Sequence, residues 1–263
     1  MDLGLKGRRA LVMGGTKGLG RSIADSLAGE GAALVISGRQ QSSLDEAAAA
    51  LRAKGAASCI GIPGDVANGA DMDRLADGAV AAMGGVDILV LNHGGPPRCT
   101  ATEMQEADLV TWFQRIVVSP IRIANRLIPP MRAQKWGRVI VVGSTGMQTP
   151  IPVLALSNTL RASIWAWLKT LSGEVAADGV TMNVLAPGSI LTDRTMETQT
   201  KVMQDKGISL EQALAAIGSD IPAKRVGMPA EYGPMGAFLA SEHGSYITGS
   251  MVRVDGGRVR SML

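Results

Sequence analysis

Between Leu11 and Leu27 the chain passes from a short apolar strand through Gly14-Gly15-Thr16-Lys17-Gly18-Leu19-Gly20 into a helix-like run, Arg21-Ser22-Ile23-Ala24-Asp25-Ser26-Leu27. Glycine lets a backbone turn tightly and come close to a pyrophosphate. The helix that follows aims its unpaired N–H groups and positive dipole end at that anion. The spacing is G-x3-G-x-G, distinct from the G-x-G-x-x-G of the common dinucleotide fingerprint. A NAD site would carry an acid roughly 17 to 19 residues beyond Gly20 to accept the ribose 2′-hydroxyl. This chain reads Ser37-Gly38-Arg39 there. With Arg39 in that place and Lys17 inside the glycine turn, two cations flank the position of a 2′-phosphate, so the pattern favours NADP(H) over NAD(H). The cofactor-binding set expected from this end is Gly14, Thr16, Lys17, Gly18, Leu19, Gly20, Ser37 and Arg39.

The elements that must position these residues are legible as alternating apolar runs and helical patterns. Residues 9–13, 33–37, 58–62, 86–92, 138–143, 180–185 and 250–254 read as strands, continuously apolar rather than alternating, as in a parallel sheet covered on both faces. The intervening segments are mostly long enough for a helix. The fold class is therefore α/β, a Rossmann-type doubly wound parallel sheet of about seven strands, with Gly14, Ser37, Asp65, Asn92, Ser144 and Pro187 gathered along one edge. Residues 1–263 read as one NAD(P)-binding domain. A polar, Met-containing stretch at about 190–225 interrupts the alternation and reads as a lid over the substrate, with Met196 and Met203 as lining.

Composition excludes several classes. The chain has 263 residues, 46% of them hydrophobic, a length and content suited to one large α/β core. Cys59 and Cys99 are too few and too far apart for a disulfide framework or a zinc site, so no metal is expected and a reducing cytoplasm is the expected location. No run approaches about 18 apolar residues, which argues against a membrane span. A net charge of +3 and 3% aromatic residues argue against nucleic acid as a partner.

Further motifs carry a family resemblance across nearly the whole chain. They are Gly14, Gly18 and Gly20; Gly64-Asp65-Val66; Asn92-His93-Gly94; Asn183-Val184-Leu185-Ala186-Pro187-Gly188 with Thr192; Tyr246-Ile247-Thr248-Gly249; and Val254-Asp255-Gly256-Gly257. Together they resemble the short-chain dehydrogenase/reductase family, and within it the 3-oxoacyl-[acyl-carrier-protein] reductase branch. The resemblance implies a nicotinamide cofactor, hydride exchange with a small-molecule carbonyl or alcohol, an acyl thioester among the candidates, and a homotetramer or homodimer. It adds Asp65, Val66, Asn92, Gly94, Arg161, Pro187, Gly188 and Thr192 to the expected cofactor contacts.

The chemical end departs from the family pattern. There a Ser orients the carbonyl, a Tyr thirteen residues later donates the proton, and a Lys four further on lowers the tyrosine pKa and binds the ribose. Ser144 fits the first role, but the next two positions are Ser157 and Arg161. The family's upstream Asn falls on Ile116. A register shifted by one would put Leu156 and Leu160 in the site instead. An aliphatic hydroxyl is far less acidic than a phenol of pKa near 10, and an arginine stays protonated, so neither replaces its counterpart. His93, at the end of the fourth strand, is a general-acid candidate by its ordinary pKa near 6.5, and a water held by Ser144 and Arg161 is another. Arg161 is also suited to grip a carboxylate or oxyanion of the substrate.

Two readings follow: an NADP(H)-dependent oxidoreductase with Ser144, Ser157, Arg161 and His93 as its catalytic candidates, or a nucleotide-binding protein of the same fold with little turnover, serving as a sensor or oligomer partner. Arg122, Arg126, Arg132, Lys135 and Arg138 form a basic series that could meet an acidic carrier protein, or simply a solvated face. Trp165 and Trp167 are expected to pack at a core or subunit contact.

Overall fold

The computed structural model describes residues 1–262. Seven strands, β1 (Arg9–Val12), β2 (Ala33–Gly38), β3 (Ser58–Pro63), β4 (Ile88–Leu91), β5 (Gly137–Val142), β6 (Val180–Pro187) and β7 (Met251–Val254), form one sheet in the order β3-β2-β1-β4-β5-β6-β7. Every neighbouring pair is parallel. The seven strands predicted from apolar runs are these seven, and their parallel pairing explains the absence of alternation: both faces are covered, so every side chain of β4 and β5 is buried.

Helices α1 (Gly18–Gly29), α2 (Gln41–Ala53) and α9 (Pro229–Ala240) pack on one face, around Ile23, Leu27, Leu44, Leu51 and Tyr232. Helices α3 (Gly69–Met83), α5 (Ser119–Ala133) and α6 (Ala155–Val175) cover the other, around Leu75, Ile123, Leu127, Leu160 and Ile164. Local sequence sets the ends of these helices. In α3, the Asn68 side chain accepts from Ala70 N at the start and Gly84 takes a left-handed conformation (φ 73°) at the end. A short helix α4 (Glu106–Phe113) runs into α5 through a π-turn, Gln114–Val118, which carries Ile116 fully buried.

The strand order reverses between β1 and β4, and there the loops after the two strands part to leave a crevice at the carboxyl edge. On the opposite edge the same pair of strands is fastened by Arg9, whose guanidinium binds both oxygens of buried Asp87 at 2.9 and 2.6 Å. Burial pushes the Asp87 carboxyl up, but the hydrogen bonds from Arg9 and Gln134 outweigh it and hold the group below the usual carboxylate range.

The stretch expected to form a lid folds as α7 (Asp193–Lys206) and α8 (Leu210–Ser219). Its two ends are tied together: Leu191 N donates to Gly227 O and Gly227 N to Ser189 O, 2.8 and 2.9 Å, while Ala223 N reaches Gly256 O. The segment thus leaves and rejoins the sheet at nearly one point, above the crevice side of β6. Among the described residues no helix is long and apolar enough to cross a membrane.

Candidate active site

The glycine turn is built by contacts that leave no room for side chains. Gly14 has φ 60°, and a Cβ there would lie 2.7 Å from Asn92 Nδ2; a Cβ on Gly20 would meet Gly14 O and lie 2.5 Å from the same nitrogen. That Asn92 amide donates to Met13 O and Gly14 O, so the residue after β4 braces the turn after β1. On the other side Gly15 N donates to Ser37 O at the end of β2. No side chain caps α1 and its first turn holds no acid, which leaves the leading N–H groups without a competing anion.

Beside this turn lies a cleft of about 690 Å³ lined by Thr16, Lys17, Arg21, Arg39, Ser43 and Glu46, among others. Arg21 is paired with Asp25. Lys17 and Arg39 are exposed and have no ion-pair partner among the described residues. A turn that admits only backbone, a bare helix terminus and two unpaired cations over a cleft fit a phosphorylated dinucleotide. Further along the edge, Asp65 accepts from Ala67 N with one carboxylate oxygen, and Ser119 Oγ fixes Val66 O. Pro187 ends β6. Gly188 N donates to Val254 O, and Thr192 caps α7 within van der Waals distance of a Cβ on Gly18.

At the chemical end Ser144 follows β5 in an extended conformation, and its Oγ accepts from Gly146 N at 3.0 Å. That bond uses one lone pair and leaves the hydroxyl proton to donate outward. Helix α6 begins at Ala155, so Ser157 and Arg161 lie four apart on one face of its first turns. Leu156 and Leu160, the alternative pair, are 0% exposed in the core. Arg161 Nη1 donates to Val142 O at 2.7 Å, which draws the guanidinium to the end of β5. Burial, and then the charge of Arg194, push its pKa down to about 10, so it remains a cation at neutral pH.

Neither tyrosine supplies a phenol here. Tyr232 is fully buried on the opposite face, donating to Leu185 O at 2.9 Å, and burial pushes its hydroxyl further up; Tyr246 is fully exposed. The nearest loop, after β4, holds His93, half-buried, with Nδ1–H donating to Gly94 O at 2.7 Å. Burial and the Arg161 charge push its pKa down to about 3. With its Nδ1–H donated to Gly94 O, the neutral ring of this catalytic candidate presents an acceptor at Nε2. Ile116, in the family's Asn place, is fully buried and offers no hydrogen bond.

Arg194 was not singled out by its spacing. It sits in the first turn of α7 and its Nη2 donates to Pro96 O at 3.1 Å, bridging α7 to the loop after β4. The only signal in the sequence was its place two residues beyond Thr192. Met196 lines a smaller cavity of about 240 Å³ between α7 and α1, together with Gly18, Arg21 and Thr192.

The members of the basic series have partners within the chain, most of them at the surface. Arg122 binds both oxygens of Asp73, Arg126 pairs with Asp77, and Arg132 and Lys135 share Asp178. Arg138 is 2% exposed and donates to Ser241 O and Gly179 O. Trp165 and Trp167 pack partly buried against the core.

Residues 14–258 match the family model described as Enoyl-(Acyl carrier protein) reductase. The chain is 31% identical over 256 residues to the NADPH-dependent reductase BacG of Bacillus subtilis, covering 97% of this chain and 99% of that one. It is 31% identical over 253 residues to the 3-oxoacyl-[acyl-carrier-protein] reductase FabG of Haemophilus influenzae, covering 96% and 98%. The crystal structure of L-sorbose reductase from Gluconobacter frateurii, complexed with NADPH and L-sorbose, superposes with a TM-score of 0.96 at 32% identity over the full length of both chains.

Proposed function

The chain belongs to the short-chain dehydrogenase/reductase family, and from that membership we propose that it is an NADP(H)-dependent oxidoreductase that reduces a small-molecule carbonyl, or oxidises the corresponding alcohol, through an active site without the family's phenol and amine. The observation that carries the reading is the pairing of an intact dinucleotide cradle with two unpaired cations, Lys17 and Arg39, over one cleft. The NADPH named with the relatives above supports it.

Gly14 to Gly20 and the N-terminus of α1 would hold the pyrophosphate, Lys17 and Arg39 the 2′-phosphate, and Asp65 and Val66 the adenine. Asn92, Gly94, Pro187, Gly188 and Thr192 would flank the nicotinamide half. The bound coenzyme supplies or accepts a hydride at the substrate carbon. Ser144 then donates its hydroxyl proton in a hydrogen bond to the substrate oxygen, with Gly146 N holding the serine in place. Arg161 sets a positive charge beside the alkoxide that develops there and keeps its own proton. The proton that completes the alcohol comes from water in the cleft. Ser157 is too short to take over a tyrosine's reach and lines the space that a phenol would fill. The protein acts on a free small molecule as one domain, with 190–225 as its lid, and assembles as a homo-oligomer.

Calorimetry and turnover test this reading together. NADPH binds at least about tenfold more tightly than NADH, a gap worth about 1.4 kcal/mol, and Arg39→Asp narrows or reverses it. A panel of ketones, quinones and acyl thioesters with NADPH gives turnover that falls on Ser144→Ala. Binding without any turnover would instead favour the sensor-like alternative, and no binding of either coenzyme would remove the proposal.

A further inference from the structure

Arg161 on α6 and Arg194 on α7 lie close enough for their charges to act on each other, beside the loop after β4. Arg161 is 8% exposed, yet its one hydrogen bond among the described residues goes to a main-chain carbonyl, Val142 O. Arg194, more exposed in the first turn of α7, likewise binds only a carbonyl, Pro96 O. Neither has a carboxylate partner among the described residues. A guanidinium is a planar fork of five donors, and burying one without an anion, as at Arg161, is costly unless a ligand supplies the missing charge.

The surroundings are shaped around these two side chains. The Arg194 guanidinium lies against Gly95, where a side chain would collide with it. The same loop turns the His93 Nδ1–H away to Gly94 O, so the ring stays neutral and adds no third charge. The two arginines come from different elements, α6 and α7, so an anion between them would also join the lid to the sheet edge.

We propose that the substrate carries a free carboxylate close to the reacting carbonyl, gripped between Arg161 and Arg194, so that the protein takes an oxo acid rather than a neutral ketone or an acyl thioester. The inference rests on the oxidoreductase reading for the word substrate; the anion site itself does not. Arg194 is the specificity-determining residue, because it is carried on the lid and engages when the lid lies over the cleft, whereas Arg161 serves both the anion and the reacting oxygen.

The test titrates short-chain 2-oxo and 3-oxo carboxylates, and the methyl ester of each, into the full-length protein by calorimetry, with and without NADP⁺. Carboxylates bind about tenfold or more tightly than their esters, as a charge-assisted pair predicts. Arg194→Gln removes most of that preference and raises KM for the carboxylate more than it lowers kcat, while Arg194→Lys retains part of it. Arg161→Lys, which keeps the charge in the buried position, covers the case in which Arg161→Gln fails to fold. Equal binding of acid and ester, or a preference unchanged in Arg194→Gln, overturns the proposal. Coenzyme affinity is measured separately: its loss would sink the coenzyme reading, whereas the anion preference is also read on the coenzyme-free protein and stands or falls by that titration.

Discussion

The two ends of the crevice are built by opposite means. At the β1–β2 end, recognition is done mainly by backbone: a turn in which Gly14 and Gly20 leave no space for a Cβ, a helix terminus without acid or cap, and an asparagine whose amide is spent bracing the turn. At the β5–α6 end the candidate groups are side chains, Ser144, Ser157, Arg161 and, from α7, Arg194. The cradle tolerates few substitutions because a Cβ added at Gly14 or Gly20 strikes the Asn92 amide or Gly14 O. A side-chain site can be rewritten residue by residue on an unchanged helix. On the proposed function, coenzyme binding and proton chemistry are therefore separable in this fold, the second altered without disturbing the first.

The largest expected effect breaks the cradle. Gly20→Ala forces a methyl group against Gly14 O and the Asn92 amide, so coenzyme binding is lost and thermal unfolding shifts downward by the equivalent of about 1–3 kcal/mol. Calorimetry with NADPH and a melting curve measure both, and retained affinity would show that the turn opens more readily than its packing implies.

The next change rewrites the other end. Ser157→Tyr with Arg161→Lys restores a phenol and an amine four residues apart on the same face of α6. Turnover of neutral ketones with NADPH rises by about 100-fold or more, the scale of general acid catalysis, with NADPH affinity held within a few-fold. A double variant as slow as the parent would mean that the cleft, and not only its acid, has diverged.

The smallest effect concerns His93. Its pKa, pushed down to about 3, keeps it neutral through the range where a free histidine titrates, so kcat/KM in His93→Ala shows the same pH profile between 5 and 8 as the parent. Stability carries the complementary sign. As pH falls below about 6.5 the unfolded chain takes up a proton that the folded ring refuses, so the folded state loses stability down to the folded pKa near 3, and His93→Ala removes that part of the acid sensitivity. Denaturant midpoints at pH 7 and pH 4 for both proteins check it. A parent profile with a step near 6.5 that His93→Ala abolishes would restore the histidine as an acid.

Much of this was readable along the chain because it is local. Continuous apolar runs require burial on both faces, which demands a parallel sheet and helices on each side of it. Glycines at 14, 18 and 20 next to a strand and a helix specify a turn whatever lies beyond. The mismatch at Ser157 and Arg161 was equally visible, since it is a matter of identity at a fixed helical interval. Tertiary packing decided which of two registers faces the cleft, by committing Leu156 and Leu160 to the core. It also decided that the basic series from Arg122 to Arg138 pairs with acids and carbonyls far away in sequence, that His93 donates its Nδ1–H to the adjacent carbonyl, and that Arg194 reaches from α7 to the loop after β4. The reason is common to all four. The charge state and direction of a side chain depend on burial and on partners tens of residues distant, and those distances exist only once the chain has folded.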